Sequence, residues 1–175
     1  GIDVGTTNVT AGVFTAESGE IVKNVSKPTP WFNPIEGRTE LKPDTLWQYL
    51  VALIGEALED INPSAVKAIS VTGVGEAGVP LDKKGEPVYN VIDWRDQRTI
   101  PQFDRIIERF GKHKLRDITG LEPRYIFTLS KLKWLQERES EAFSRLDTWL
   151  DIPGWVIFKL TGEKVMDYSE ASRTM

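Results

Sequence analysis

Near the start of the chain, in GIDVGTTNVTAGVF, one carboxylate stands beside a small polar turn: Asp3, then Gly5, Thr6, Thr7 and Asn8. Successive backbone N–H groups in a tight turn bind phosphate oxygens, glycine lets the backbone come close, and threonine hydroxyls add donors. An acid in such a cradle needs a cation, because at an effective dielectric of 20 two like charges about 4 Å apart repel by roughly 4 kcal/mol. Mg²⁺ takes one or two carboxylates together with phosphates and keeps several waters, so Asp3 is the expected metal residue and Gly5–Asn8 the expected phosphate turn. No G-x-x-x-x-G-K is present and a strand follows the turn, so this is not a Walker P-loop. Taken alone, the run fits a hairpin with a solvated acid equally well.

A second group lies in GVGEAG and IDWRDQRT. Gly73, Gly75 and Gly78 open space after an expected strand, and Glu76 offers an acceptor for two hydroxyls. Trp94, Asp96 and Arg98 sit close together, and an indole face with carboxylates on hydroxyls is a way to hold a polyol or sugar. In isolation these runs read as a glycine loop and a surface Asp–Arg pair. The other five Trp, among them Trp47 and Trp134, are expected in the core, and His113 in GKHKLR is expected in solvent.

The elements that must position these groups follow from periodicity. Val9, Ala11 and Val13 alternate with polar or small residues, and Ile21–Val25 follows a Ser18-Gly19 turn, which predicts an antiparallel meander. A Pro- and Gly-rich loop spans 27–43. Leu46, Leu50, Leu53 and Ala57 then repeat at helical spacing, with Asp44 or Thr45 as the expected cap. Ala68, Ile69 and Val71 predict a strand buried on both faces, and PVYNVID a short further strand. Helices are expected over 97–110, 130–138 and 151–160, with Gly162 ending the last. Strands first, then strands alternating with helices, favour a mixed-sheet α/β fold.

The composition predicts a soluble α/β-type domain. With 175 residues, 22 basic and 26 acidic side chains and a net charge of −4, the chain can bury a core but lacks the basic block that nucleic acid requires. It has no cysteine, which removes disulfides and thiol chemistry, and no apolar run of membrane-spanning length. A cytoplasmic location is expected, with no nucleic acid or membrane as partner. The start at Gly1, directly in strand, predicts that residues upstream have been lost.

Taken in order, these runs resemble the FGGY carbohydrate kinase family. GIDVGTT is similar to its first phosphate motif, AISVTGVGEAGVPLDKKGEPVYNVIDWRDQRT to its substrate-proximal block, TGLEPRYIFTLSKLKWL to the helix entry that follows, and DYSEASRTM to glycerol kinases in particular. The resemblance implies an actin-like ATPase, ribonuclease H-like domain with a mixed five-stranded sheet flanked by helices. It implies ATP and Mg²⁺ as cofactors and a sugar or polyol as substrate. Asp3 would orient hydrated Mg²⁺, Gly5, Thr6, Thr7 and Asn8 would meet the phosphates, and Gly75, Glu76, Trp94, Asp96 and Arg98 would meet the substrate.

Several positions depart from the family pattern. Thr10 stands where many members carry Lys or Arg, Val74-Gly75 replaces Gln-Arg or Gln-Met, and Ile126 falls where glycerol kinases place a Tyr. Glycerol is thereby disfavoured, and a larger substrate is expected to use the room at Gly75. On the resemblance, residues 1–175 form the N-terminal domain of such a kinase, with no catalytic base of its own. The base and the adenosine site are expected in an absent C-terminal domain, the isolated piece is expected to be inactive, and the candidate assembly of the intact enzyme is a homodimer. The alternative is a non-catalytic sugar-sensing domain on the same scaffold, to which Thr10 lends weight.

Overall fold

Alternation of apolar and polar residues builds the first layer. The computed structural model, which describes residues 1–175, places β1 (Ile2–Val4), β2 (Asn8–Phe14) and β3 (Ile21–Pro28) in the expected antiparallel meander, and β5 (Val71–Gly73) adds parallel to β1. The main sheet therefore has four strands, in the order β3-β2-β1-β5. Ile2, Val4, Val9, Ala11 and Val25 point into the core, while Asp3 pairs across the sheet with Thr10 on one side and Thr72 on the other. One face of the sheet is thus apolar and covered, and the other carries a polar row.

α1 (Pro43–Ala57) buries Leu46, Leu50, Leu53 and Ala57, the stripe read from the sequence. α6 (Ile152–Thr161) joins it beneath the sheet, with Trp155 meeting Trp47 edge to face at 6.3 Å between ring centroids. Pro43, rather than a capping side chain, opens α1; its missing N–H is one a helix start leaves free anyway. Asp151 caps α6 and Gly162 ends it in the left-handed region (φ +81°), a conformation glycine adopts without a Cβ penalty.

Two expectations are corrected. Val91–Ile92, the short strand β7 of PVYNVID, does not extend the main sheet; it pairs with β4 (Glu40–Leu41), so the fifth strand is absent from that sheet. Backbone bonds set this pairing: the Asp93 N–H donates to the Thr39 carbonyl at 3.1 Å. Ala68 and Ile69 precede β5 in exposed chain, and within β5 Val71 is half-buried and Thr72 exposed. β5 is an edge strand over a one-sided core, so burial on both faces is not available to it.

The second half frames the site. β6 (Gly78–Leu81) pairs with β8 (Thr148–Asp151) in a two-stranded sheet. The remaining helices are α2 (Ile100–Phe110), α3 (Lys112–Thr119), α4 (Thr128–Arg138), α5 (Ser140–Arg145) and α7 (Tyr168–Ser172). α2 starts three residues later than periodicity suggests because Pro101 sits in its first turn, where proline is well tolerated. His113 is exposed on α3, as expected of a charged run. No helix is long and apolar enough to cross a membrane.

Candidate active site

The Gly5–Asn8 turn has a one-sided hydrogen-bond balance. Its carbonyls are all used: Gly5 accepts from Thr29 Oγ1 (2.7 Å), Thr6 from Trp31 Nε1 (2.8 Å), Thr7 from the Thr29 N–H (2.9 Å) and Asn8 from the Gly5 N–H (2.9 Å). The Thr6 and Thr7 backbone N–H groups have no protein acceptor. The turn thus shows donors to solvent and hides acceptors, which is the arrangement an anion needs. Asp3 is exposed next to it, with its carboxylate oxygens 3.8 and 3.9 Å from where a Cβ on Gly5 would stand. No cluster of three or more metal-ligating side chains exists in the chain, so any cation here rests on Asp3 and on the ligand itself. That donor set suits Mg²⁺ carried by phosphates.

Trp31 and Thr29 were not legible as site residues. Trp31 was expected in the core; it is half-buried and packs against the core, and its indole N–H also fixes the turn. Their only sequence signal is a position in the Pro-rich loop, which carries no periodicity. Trp94 arrives from the other side: its Nε1 donates to Thr6 Oγ1 at 3.2 Å, with the ring 37% exposed. The expected substrate-side indole therefore adjoins the phosphate turn.

Asp96 and Arg98 do something other than face a ligand. Their side chains are 0% and 2% exposed. Asp96 accepts from the Thr39 N–H (2.7 Å) and from Arg98 Nε and Nη2 (2.9 and 2.7 Å). Arg98 Nη1 also meets Glu40 Oε1 at 2.7 Å, and its guanidinium lies 4.9 Å from the Trp134 ring centroid. Asp93, fully buried, holds Arg95 in the same segment. This network pins the Trp94 segment to the 36–42 loop. A buried Asp–Arg–Glu set suits that task, since each charge is paired where solvent is absent.

The loop after β5 forms the third part. Val74 N–H donates to the Val4 carbonyl at 2.8 Å, so this loop and the phosphate turn leave adjacent parallel strands at the same end. Open α/β sheets bind ligands beyond the carboxyl ends of their strands. Glu76 sits there at φ +56°, a left-handed backbone that costs a non-glycine residue about 1–2 kcal/mol. Its carboxylate pairs with Arg173 just after α7, and its carbonyl accepts from Lys131 Nζ of α4.

The room expected at Gly75 is taken. A Cβ there would stand 3.0 Å from Glu170 Oε1, so the carboxylate of α7 fills the space beside Glu76. Burial raises the Glu170 carboxyl above its usual value, and the Glu76 charge adds to that shift. Arg173, whose hydrogen bond to Glu76 raises it further, compensates the pair. Behind them Asp151, 4% exposed, has one oxygen on the Gly154 N–H (2.9 Å) and the other, Oδ2, without a partner. Burial, with Glu170 and Asp167 adding, raises Asp151 to about 6.

Fold and site define an α/β domain in which a turn that exposes backbone donors beside a lone acid adjoins a glycine-rich loop carrying Glu76 on the neighbouring strand. The profile of the FGGY family of carbohydrate kinases, N-terminal domain, matches residues 1–175, and the chain belongs to that family. It is 36% identical over 186 residues to a glycerol kinase of Thermococcus gammatolerans and 35% identical over 189 residues to glycerol kinase 2 of Thermotoga maritima. In each case 99% of this chain aligns, with 36% and 37% of the relative. Among solved structures it superposes on a gluconate kinase of Lactobacillus acidophilus (TM-score 0.90, 27% identity, 99% of this chain and 35% of that one). It also superposes on a xylulose kinase of Rhodospirillum rubrum (TM-score 0.91, 26% identity, 99% and 36%). The chain thus spans little more than a third of the length of these proteins, and it shares the actin-like fold of their N-terminal portions.

Proposed function

We propose that residues 1–175 are the N-terminal domain of an ATP-dependent sugar or polyol kinase, supplying the phosphate turn and most of the substrate contacts. One observation carries this reading: the Gly5–Asn8 turn has every carbonyl occupied and leaves the Thr6 and Thr7 N–H groups free beside exposed Asp3. Thr6, Thr7, Gly5 and Asn8 bind and orient the phosphates, and Asp3 holds the hydrated Mg²⁺ that accompanies them. The metal, when bound, neutralises charge on the phosphates during transfer, so catalysis is mainly positioning and electrostatics. Glu76 accepts from substrate hydroxyls and Trp94 covers C–H groups, while Asp96 and Arg98 hold Trp94 in place rather than touch the sugar. Gly75 lets Glu170 approach the same loop. The base that receives the hydroxyl proton is assigned to a second domain of the intact protein, which suits relatives about three times as long as this chain.

The test is ATP-dependent phosphorylation of a panel of polyols, ketoses and aldonates by the intact protein, with Asp3→Asn as the diagnostic variant. The substitution keeps shape and removes the charge, so kcat should fall at least a hundredfold with sugar KM within threefold. Wild-type kcat in Asp3→Asn at saturating Mg²⁺, or no phosphorylation anywhere in the panel, overturns the reading.

A further inference from the structure

Lys131 lies at the start of α4, 1% exposed, and forms no salt bridge. Burying an ammonium costs several kcal/mol, and a Leu or Met of similar length would fill the space without that cost. Its Nζ spends the charge on two backbone carbonyls, those of Glu76 and Ile126. One belongs to the loop after β5. The other belongs to the stretch before α4, where the neighbouring Tyr125 carbonyl accepts from Thr99 Oγ1 at 3.1 Å. Burial lowers the Lys131 ammonium to about 8, and the negative charges of Glu76, Asp93 and Asp96 oppose that shift, so it stays charged at neutral pH.

The bond to Glu76 acts on a strained residue. Glu76 holds φ +56°, and a flip of the peptide that follows, which rotates ψ of Glu76 and φ of Ala77, would turn its carbonyl out and re-aim the loop on either side. A charged donor fixed on the Glu76 carbonyl blocks that flip, because the rotated carbonyl would abandon a buried ammonium. The same ammonium sets the distance from the Glu76 loop to the Tyr125–Ile126 stretch.

We propose that Lys131 is a positioning residue for the substrate: it locks the Glu76 backbone and ties the loop after β5 to the stretch before α4, so that a sugar or polyol meets a pre-shaped pair of walls. This rests on Glu76 being a substrate contact of the kinase proposed above. Lys131 touches no substrate atom itself.

The experiment compares Lys131→Met, which keeps length and removes the donors, with the wild-type intact protein on a sugar that the wild type phosphorylates. Sugar KM should rise at least tenfold, while kcat and ATP KM stay within threefold. Unchanged sugar KM, or sugar and ATP KM rising together, overturns the proposal. Should Lys131→Met not fold, the wild type labelled with ¹⁵N-lysine decides. The Lys131 ammonium signal should shift on adding the sugar alone and stay put on adding a non-hydrolysable ATP analogue; the reverse pattern or no shift overturns it. A wild type that phosphorylates nothing in the panel overturns the kinase reading itself, and is seen before any variant is made.

Discussion

Replacing Asp151 by Asn should make this protein more stable at neutral pH, although Asp151 caps a helix. The carboxyl is 4% exposed, one oxygen caps α6 through the Gly154 N–H, and Oδ2 has no partner. Burial and the nearby Glu170 and Asp167 raise it from 3.8 to about 6. Between those values the folded state holds a proton that the unfolded chain has released, so stability falls as pH rises through the window and stays lowered above it. At 1.36 kcal/mol per unit, a rise from 3.8 to about 6 means that the ionised carboxyl costs about 2–3 kcal/mol. Asn keeps the acceptor for Gly154 and turns the unpartnered oxygen into an N–H donor facing acidic neighbours. Urea unfolding should therefore show Asp151→Asn more stable by about 2 kcal/mol at pH 7.5, with the difference gone near pH 4. Asp151→Ala, which loses the cap, should not share the full gain. A destabilised Asn variant at pH 7.5, or the same gain at both pH values, refutes the reasoning.

Arg98→Met leaves Glu40 and Asp96 buried without their cation, and should destabilise by about 3–5 kcal/mol in denaturant unfolding. A loss under 1 kcal/mol would return Arg98 to the ligand-facing role expected of it. Glu76→Gly relieves the left-handed backbone and should leave stability within about 1 kcal/mol, while sugar affinity measured by calorimetry falls at least tenfold. Unchanged affinity there removes Glu76 from the substrate.

The sequence alone determined what local chemistry can specify. Asp3 with Gly5, Thr6 and Thr7 could be read as an anion turn with a metal acid because the pattern lies within one hairpin. The α1 stripe and the Gly162 stop were legible for the same reason: periodicity and a left-handed cap are properties of neighbours along the chain. The motif order carried the family as well, since the match runs through residues 1–175. Tertiary structure decided which polar groups are spent on holding and which are left to bind. Asp96 and Arg98 read as ligand groups until Glu40 and the Thr39 N–H, more than fifty residues away, absorbed them. Gly75 read as open space until Glu170 came from the far end of the chain to fill it. Lys131 stood within an expected helix with no role of its own until Glu76, 55 residues earlier, accepted a hydrogen bond from its ammonium. A hydrogen bond or ion pair is fixed by distance in space, and residue type gives only the capacity to make one. Hence the sequence named the groups able to do the chemistry, and only the folded chain showed which of them remain free to do it.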